Sequence, residues 1–490
     1  MIPRLSLLAA ALAAALPAFA ATGPSSSATP YLTPVEPGVE FTSILTTGDT
    51  VALRQVWSRA PAQTYRMAGI PDGLGAWDND DGTFTVVMNH ELGSSVGVAR
   101  AHGGKGAFVS RWQIRKSDLK VLNGQDLIER VKLWDGSQFV ETPGAVFNRF
   151  CSADLAPSKA LFNRKSGKGY HGGRIFFSGE ETSGGRPFAH IASGREAGTS
   201  YQIPGLGNAA WENLVASPFE QDTTVLMGMD DGSLNASKLF AYVGTKQKKG
   251  SALEQAGLAG GTRYEMSIDG FTTESPAINA IPNGYSGRFS MVTSGGTGLN
   301  RVEDGAWDTK NPNRFYFVTT ANITGNSRLW RATFDDISNP AAGGNVEVLV
   351  DGAVTGQKMM DNITVDGSGA VYMQEDVGNN AHIGKVWKYG RDGSLTLIAQ
   401  HDADRFIAGA SADIDGTDAK QSDEESSGIV EITQLLTDDD KVGTAGAAWD
   451  VRNYRYFLMD VQAHYTSVNG TPLDAELVEG GQLLMMQVPR

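Results

Sequence analysis

Apolar residues in this chain come in short bursts separated by polar, glycine-rich stretches. The clearest bursts are 84–88, 174–177, 223–227, 315–318, 370–373 and 456–459, each rich in Val, Phe, Tyr, Leu, Met or Thr. Runs of four or five such residues between turn formers predict strands, because β-branched and aromatic side chains suit a pleated, half-buried surface. Helical periodicity is scarce. Only 127–134 and 429–438 predict short helices, and neither is long enough to set the fold.

The residues around the bursts repeat a plan. Pro71-Asp72-Gly73-Leu74-Gly75-Ala76-Trp77-Asp78 leads through a turn at Gly82 into a strand that ends at Asn89-His90-Glu91. Phe150-Cys151-Ser152-Ala153-Asp154 leads, after an insertion, to Ser178-Gly179-Glu180-Glu181. Trp211-Glu212-Asn213 leads to Met229-Asp230-Asp231, Glu303-Asp304-Gly305 to Thr319-Thr320, and Met360-Asp361-Asn362 to Gln374-Glu375-Asp376. A sixth unit is expected from Gly446-Ala447-Ala448-Trp449-Asp450 to Met459-Asp460. One such unit cannot bury both of its faces, so six copies predict blades closing in a ring. The expected fold is all-β, a six-bladed β-propeller with long inter-blade insertions, forming a single domain over 41–490. Residues 21–40, rich in Ser, Thr and Pro, are expected as a flexible lead-in.

Composition supports this picture. The 59 glycines among 490 residues are scattered rather than periodic, as tight turns between many short strands require. The formal charge of −14 is the wrong sign for a nucleic-acid binder. Residues 1–20 read as an export signal: Arg4, a Leu/Ala run, then Ala18-Phe19-Ala20 as a small-x-small cleavage site. That apolar run is shorter than the roughly 20 residues of a membrane span, and no other stretch is long enough. A periplasmic or extracellular location follows. Cys151 is the single cysteine, so no intrachain disulfide forms.

In a propeller the innermost strands face a central channel, so equivalent positions of different units converge there. The repeat sends Asp72, Cys151, Glu212, Glu303 and Asp361 to that hub. Four carboxylates and a thiol facing one another would be costly to desolvate without cations. Carboxylates together with Asn213 and Asn362 suit a hard ion such as Ca²⁺. A thiolate suits a transition metal such as iron instead, so a mixed site is expected.

The order Asn89-His90-Glu91, Cys151, Glu180-Glu181-Thr182, Glu212, Arg301-Val302-Glu303, Asp361-Asn362 resembles that of the PhoX-type alkaline phosphatases, over about residues 71–376. The resemblance implies a six-bladed propeller with calcium and iron (Fe³⁺) at the hub, hydrolysing phosphate esters outside the cytoplasm. It implies Cys151 as the thiolate ligand of iron, and Glu212 and Glu303 as carboxylate ligands. Glu180 and Glu181 match the paired acids after the cysteine segment, while Asp72, Asp361, Asn362 and Glu91 are further metal candidates. Arg301 matches the arginine beside the cluster acid, so Arg301, Glu303 and Cys151 form the expected catalytic set, acting on a small phosphorylated substrate.

Other signals compete. Gly93-Ser94-Ser95-Val96-Gly97 fits G-x-S-x-G, but a glycine-rich stretch follows where a nucleophile elbow needs a helix. The acidic run 413–428 lacks EF-hand spacing and reads as a solvated loop. Of the seven histidines only His90 is expected near the hub. The alternative function is a calcium-stabilised propeller acting as a binding module or lactonase-like hydrolase, for which a hub thiolate would have no use.

Overall fold

The computed structural model describes residues 20–54, 63–275, 279–378, 382–406, 424–437, 449–468 and 471–490. The expected export signal lies outside the described residues apart from Ala20. No helix among those residues is long and apolar enough to cross a membrane.

All six predicted bursts are strands. They fall in Thr83–His90, Ile175–Glu180, Thr223–Asp230, Arg314–Thr319, Val371–Glu375 and Tyr454–Ala463, each the second strand outward from the centre. The inner strands are Pro71–Asp78, Phe150–Leu155, Trp211–Ala216, Val302–Trp307, Met360–Val365 and Glu425–Glu431. Each packs against the next, and the sixth packs against the first, so they close a ring. Antiparallel strands lead outward from each, and parallel strand pairings enter only in the outer parts of the first, second and sixth units among the described residues. The architecture is all-β and propeller-like.

The count of separate blades differs from expectation. Four sheets of five or six strands stand alone, while the third and fourth units share one nine-stranded sheet. They are joined where Ser286–Val292 pairs with Gly344–Asp351. Six apolar clusters nonetheless fill the spaces between successive units. Trp77, Val87 and Phe176, for example, bridge the first and second, and Tyr372, Phe457 and Leu484 the fifth and sixth. Each unit thus buries both faces against its neighbours, which is what the repeat required.

Three further expectations are corrected. Residues in 21–40 are woven into the sheets: Ala20–Thr22 pairs with 41–43, and Leu32–Pro34 edges the fifth unit beside Leu395–His401. The 127–134 segment yields the strand Arg130–Trp134, not a helix. The sixth inner strand is Glu425–Glu431, so it starts in the expected acidic loop and runs into the expected helix at 429. Its low apolar content hides it, because both of its neighbours in the ring supply the hydrophobic cover.

Candidate metal centre

Each inner strand carries the same irregularity. Two consecutive residues oppose a single residue of the next strand at 72–73, 151–152, 212–213, 303–304, 361–362 and 427–428. Such a β-bulge re-aims side chains and is favoured beside functional sites. Here six bulges, at equivalent places, turn the first residue of each pair toward one end of the channel. Those residues are Asp72, Cys151, Glu212, Glu303, Asp361 and, in the sixth strand, Ser427. Gly73 lets the first bulge close up: a Cβ there would meet Ala153 N at 2.4 Å.

The residue just before the strand is left-handed in four of the six: Ile70 (φ 47°), Arg149 (48°), Arg301 (61°) and Met359 (42°). For bulky residues this conformation is strained, and strain of this kind persists where surrounding bonds over-determine it. At Arg149 and Arg301 the result is a guanidinium laid against the hub.

Three overlapping groups bring ligand atoms within 4.8 Å of one another: Asp72, Glu91 and Cys151; Cys151, Glu181 and Glu212; Glu212, Glu303 and Asp361. Cys151 and Glu212 are shared, so seven residues form one continuous cluster. Cys151 Sγ lies 3.2 Å from Asp72 Oδ2. Gln462 Nε2 donates to Asp72 Oδ2 at 3.1 Å and to Glu91 Oε2 at 2.8 Å. Arg149 Nη2 is 2.7 Å from Glu91 Oε1 and also pairs with Glu181. Opposite, Arg301 grips Asp231 with two bonds of 2.8 and 2.7 Å and reaches Glu303 Oε1 at 3.1 Å.

The cluster is buried: Asp72 is 0% exposed, Glu212 1% and Glu303 2%. Burial, and then mutual repulsion, push the carboxyls of Asp72, Glu181, Glu212, Glu303 and Asp361 above their usual range. Asp376 and Glu425, which face the same space, shift the same way. Burial likewise raises the Cys151 thiol, with Asp72 and Glu212 adding to it. Two arginines are too few to neutralise so many acids. Glu212 Oε2 and Asp361 Oδ1 are buried with no hydrogen-bond partner. Orphaned carboxylate oxygens pointing at one another within ligand distance are what a cation site presents, and the donor set fits metal ions.

The sequence candidates divide. Asp72, Glu91, Cys151, Glu181, Glu212, Glu303, Asp361 and Arg301 converge at the hub. Glu180 does not: its oxygens accept from Arg186 Nε at 2.7 Å and Nη2 at 2.6 Å, and from Asn148 N. Successive strand residues face opposite ways, so only one of the paired acids can reach the centre. Asn362 sits one layer below, donating to Ser152 Oγ at 2.9 Å. His90 is a packed core histidine, bonded to Gly69 O and Ser110 Oγ and pulled down to about 3 by burial. Ser95 is exposed in a turn with no helix after it, so the G-x-S-x-G match builds no elbow. Sequence reasoning missed Arg149, Asp231, Asp376, Glu425 and Gln462. Asp231 and Asp376 stand immediately after the second strands of their units, and that repeated acidic ending was the signal available.

Fold and site together define a propeller-like all-β protein with a buried acidic hub whose donor set fits metal ions. No family model matches the sequence, and no curated protein matches it. Among solved structures the chain is similar to PhoX of Pseudomonas fluorescens in complex with vanadate, a transition state analogue. The TM-score is 0.59 at 10% identity, covering 96% of this chain and 97% of that one. The expected likeness to PhoX is therefore present, as a likeness of fold. Trypanosoma rangeli sialidase with the inhibitor DANA gives a TM-score of 0.38 at 9% identity, over 92% of this chain and 60% of that one. The catalytic domain of a Coprinopsis cinerea GH62 α-L-arabinofuranosidase gives 0.33 at 12%, over 65% and 88%. Neither value carries weight here.

Proposed function

We propose that this protein is an exported, metal-dependent phosphoesterase of alkaline phosphatase type, acting at the hub. The observation that carries the reading is the seven-residue cluster with its orphaned oxygens, flanked by two arginines on a fold shared with a vanadate-binding propeller. The nine-stranded sheet is read as two blades joined at their outer edges, making six in all. The six inter-unit clusters and six bulged inner strands support that count.

Asp72, Glu91, Glu181, Glu212, Glu303 and Asp361 would hold hard cations such as Ca²⁺, and Cys151 a transition metal such as Fe³⁺. Metal bound there supplies positive charge to phosphoryl oxygens and lowers the pKa of an attacking water. Arg301, held by Asp231 and Glu303, offers a fixed fork of donors to the non-bridging oxygens. Arg149, tied to Glu91 and Glu181, offers the same from the other side. Because both guanidiniums are already anchored by carboxylates, little ordering remains to be done when substrate arrives. Gln462 bridges Asp72 and Glu91 and keeps those two carboxylates at a fixed separation.

The test is hydrolysis of a chromogenic phosphate monoester by the purified protein, with calcium and after chelation. Turnover that requires metal and is lost in Cys151→Ser supports the reading. No turnover with metals restored overturns it and leaves the calcium-stabilised binding module or lactonase-like hydrolase.

A further inference from the structure

A second polar cavity, of about 180 Å³, lies at the other end of the first unit. Its lining is Arg54, Asn79, Asp81, Thr85, Arg111, Gln113 and Asn123. Asp72 lies near one end of the strand Pro71–Asp78 and Asn79 just beyond the other, so the cavity is about 20 Å from the hub at about 3.3 Å per residue.

The neutral groups here satisfy one another. Asn123 donates to Gln113, Gln113 and Asn79 donate to Thr83 Oγ1, and Thr85 donates to Asn79. Asp81 accepts from Thr83. Arg54 and Arg111 are left over. Among the described residues neither guanidinium has a carboxylate partner or a hydrogen-bond acceptor, and Arg111 rests on the face of Trp77, 5.3 Å from the ring centroid. Burial, with the neighbouring Arg54, pulls Arg111 down to about 10. A third guanidinium, Arg174, lies 5.7 Å from the same indole ring.

Such an arrangement is out of character for this chain. Acids outnumber bases by 14, and Arg100, Arg115, Arg149, Arg186, Arg301 and Arg328 each face a carboxylate. Two unpaired arginines turned into one cavity, in a protein with acid to spare, make a local reversal of field. Apart from Asp81, whose Oδ2 accepts no bond among the described residues, the free hydrogen-bonding capacity there is donor and cationic, the complement of an oxyanion.

We propose that this cavity binds a tetrahedral oxyanion, with inorganic phosphate or the phosphoryl group of an ester as the matching chemistry. The planar forks of Arg54 and Arg111 supply bidentate contacts to two edges of the anion, and the indole covers one side of the Arg111 guanidinium. The site is independent of the hub and of any reaction there.

Equilibrium dialysis of the intact, metal-loaded protein against labelled phosphate tests it, with Arg54→Gln and Arg111→Gln alongside. Arg54 is exposed, so its substitution leaves the fold undisturbed. Each variant is expected to bind one phosphate fewer per chain than the parent, with monoester turnover at the hub unchanged. Competition by glycerol phosphate for that lost phosphate assigns the site to phosphoryl groups in general, and its absence to free phosphate. Equal phosphate stoichiometry in the parent and both variants overturns the proposal.

Discussion

Residues 72, 151, 212, 303 and 361 lie next to residues 73, 152, 213, 304 and 362 on the same bulged strands, and the two layers meet burial in different ways. In the upper layer charges face charges, and one oxygen each of Glu212 (Oε2) and Asp361 (Oδ1) goes unmatched. In the lower one, Asn213 Nδ2 donates to Asp304 Oδ1 at 2.6 Å and to Ser152 Oγ at 3.2 Å, while Asn362 donates to the same Ser152. Asp304 also accepts Gly305 N at 2.6 Å and Ile363 N at 3.0 Å. The lower layer is thus a largely self-paired plug at the floor of the hub, with Asn362 Oδ1 left without a partner, and a channel cavity of about 240 Å³ lies beneath it. Adjacent residues of one bulge therefore do unlike work. One row is left short of partners, as a cation site would be, and the other is paired mostly within itself.

The comparison breaks first at the upper layer. Chelation, Glu212→Ala or Cys151→Ser is expected to reduce monoester turnover by well over about 100-fold, since even partners one shell out from a metal cost 10–100-fold when lost. Metal analysis of the purified variants checks that the loss tracks bound ions. Next, Arg301→Met is expected to lower kcat/KM by about 100-fold, the usual scale for a preorganised donor, with metal content intact. Steady-state kinetics beside elemental analysis separates these two outcomes.

The lower layer should respond in stability. Asp304→Asn strands a buried N–H, either Gly305 or Ile363, and should cost about 1–3 kcal/mol. Denaturant unfolding reads this, and a variant that lost its metal without losing stability would place Asp304 in the wrong layer. The last effect is a pH dependence at Asp154, deeper in the channel, which accepts from Ala216 N at 3.0 Å. Burial raises its carboxyl from 3.8 to about 7. Between those values the unfolded chain has released the proton and the folded chain keeps it. Stability therefore falls as pH rises through the window and levels off above it. Asp154→Asn should flatten that slope in thermal melts taken from pH 4.5 to 7.5.

How far the site was legible follows from the same bulges. The candidate ligand positions at Asp72, Cys151, Glu212, Glu303 and Asp361 repeat with the strand units, so a one-dimensional pattern reveals them. The sixth position is Ser427, whose hydroxyl bonds Glu425, and its strand opens on Glu-Ser-Ser-Gly with no apolar lead. A strand that draws its hydrophobic cover from its neighbours leaves little trace in its own residues. Glu180 and Glu181 could not be told apart without knowing where the strand ends. Arg149 depends on a left-handed residue that no local propensity favours, so only the folded ring reveals it. The joining of the third and fourth units through Ser286–Val292 is a long-range pairing for the same reason.

The sixth sheet has a consequence for assembly. Its order outward is Glu425–Glu431, Tyr454–Ala463, Gly480–Pro489, then Glu40–Thr46, with Thr42 facing Met485. The strand Glu40–Thr46 thus waits for a partner far later in the chain before the sixth sheet is complete. Contacts so distant in sequence form slowly, because the intervening loop must be closed before they stabilise anything. Until then the ligand-bearing strands have no common centre, and a growing chain offers ions only scattered, solvated carboxylates. On the proposed reading, metal capture is thereby deferred to the moment the circle is complete, and a chain shortened by the Gly480–Pro489 strand should emerge without metal rather than partly loaded.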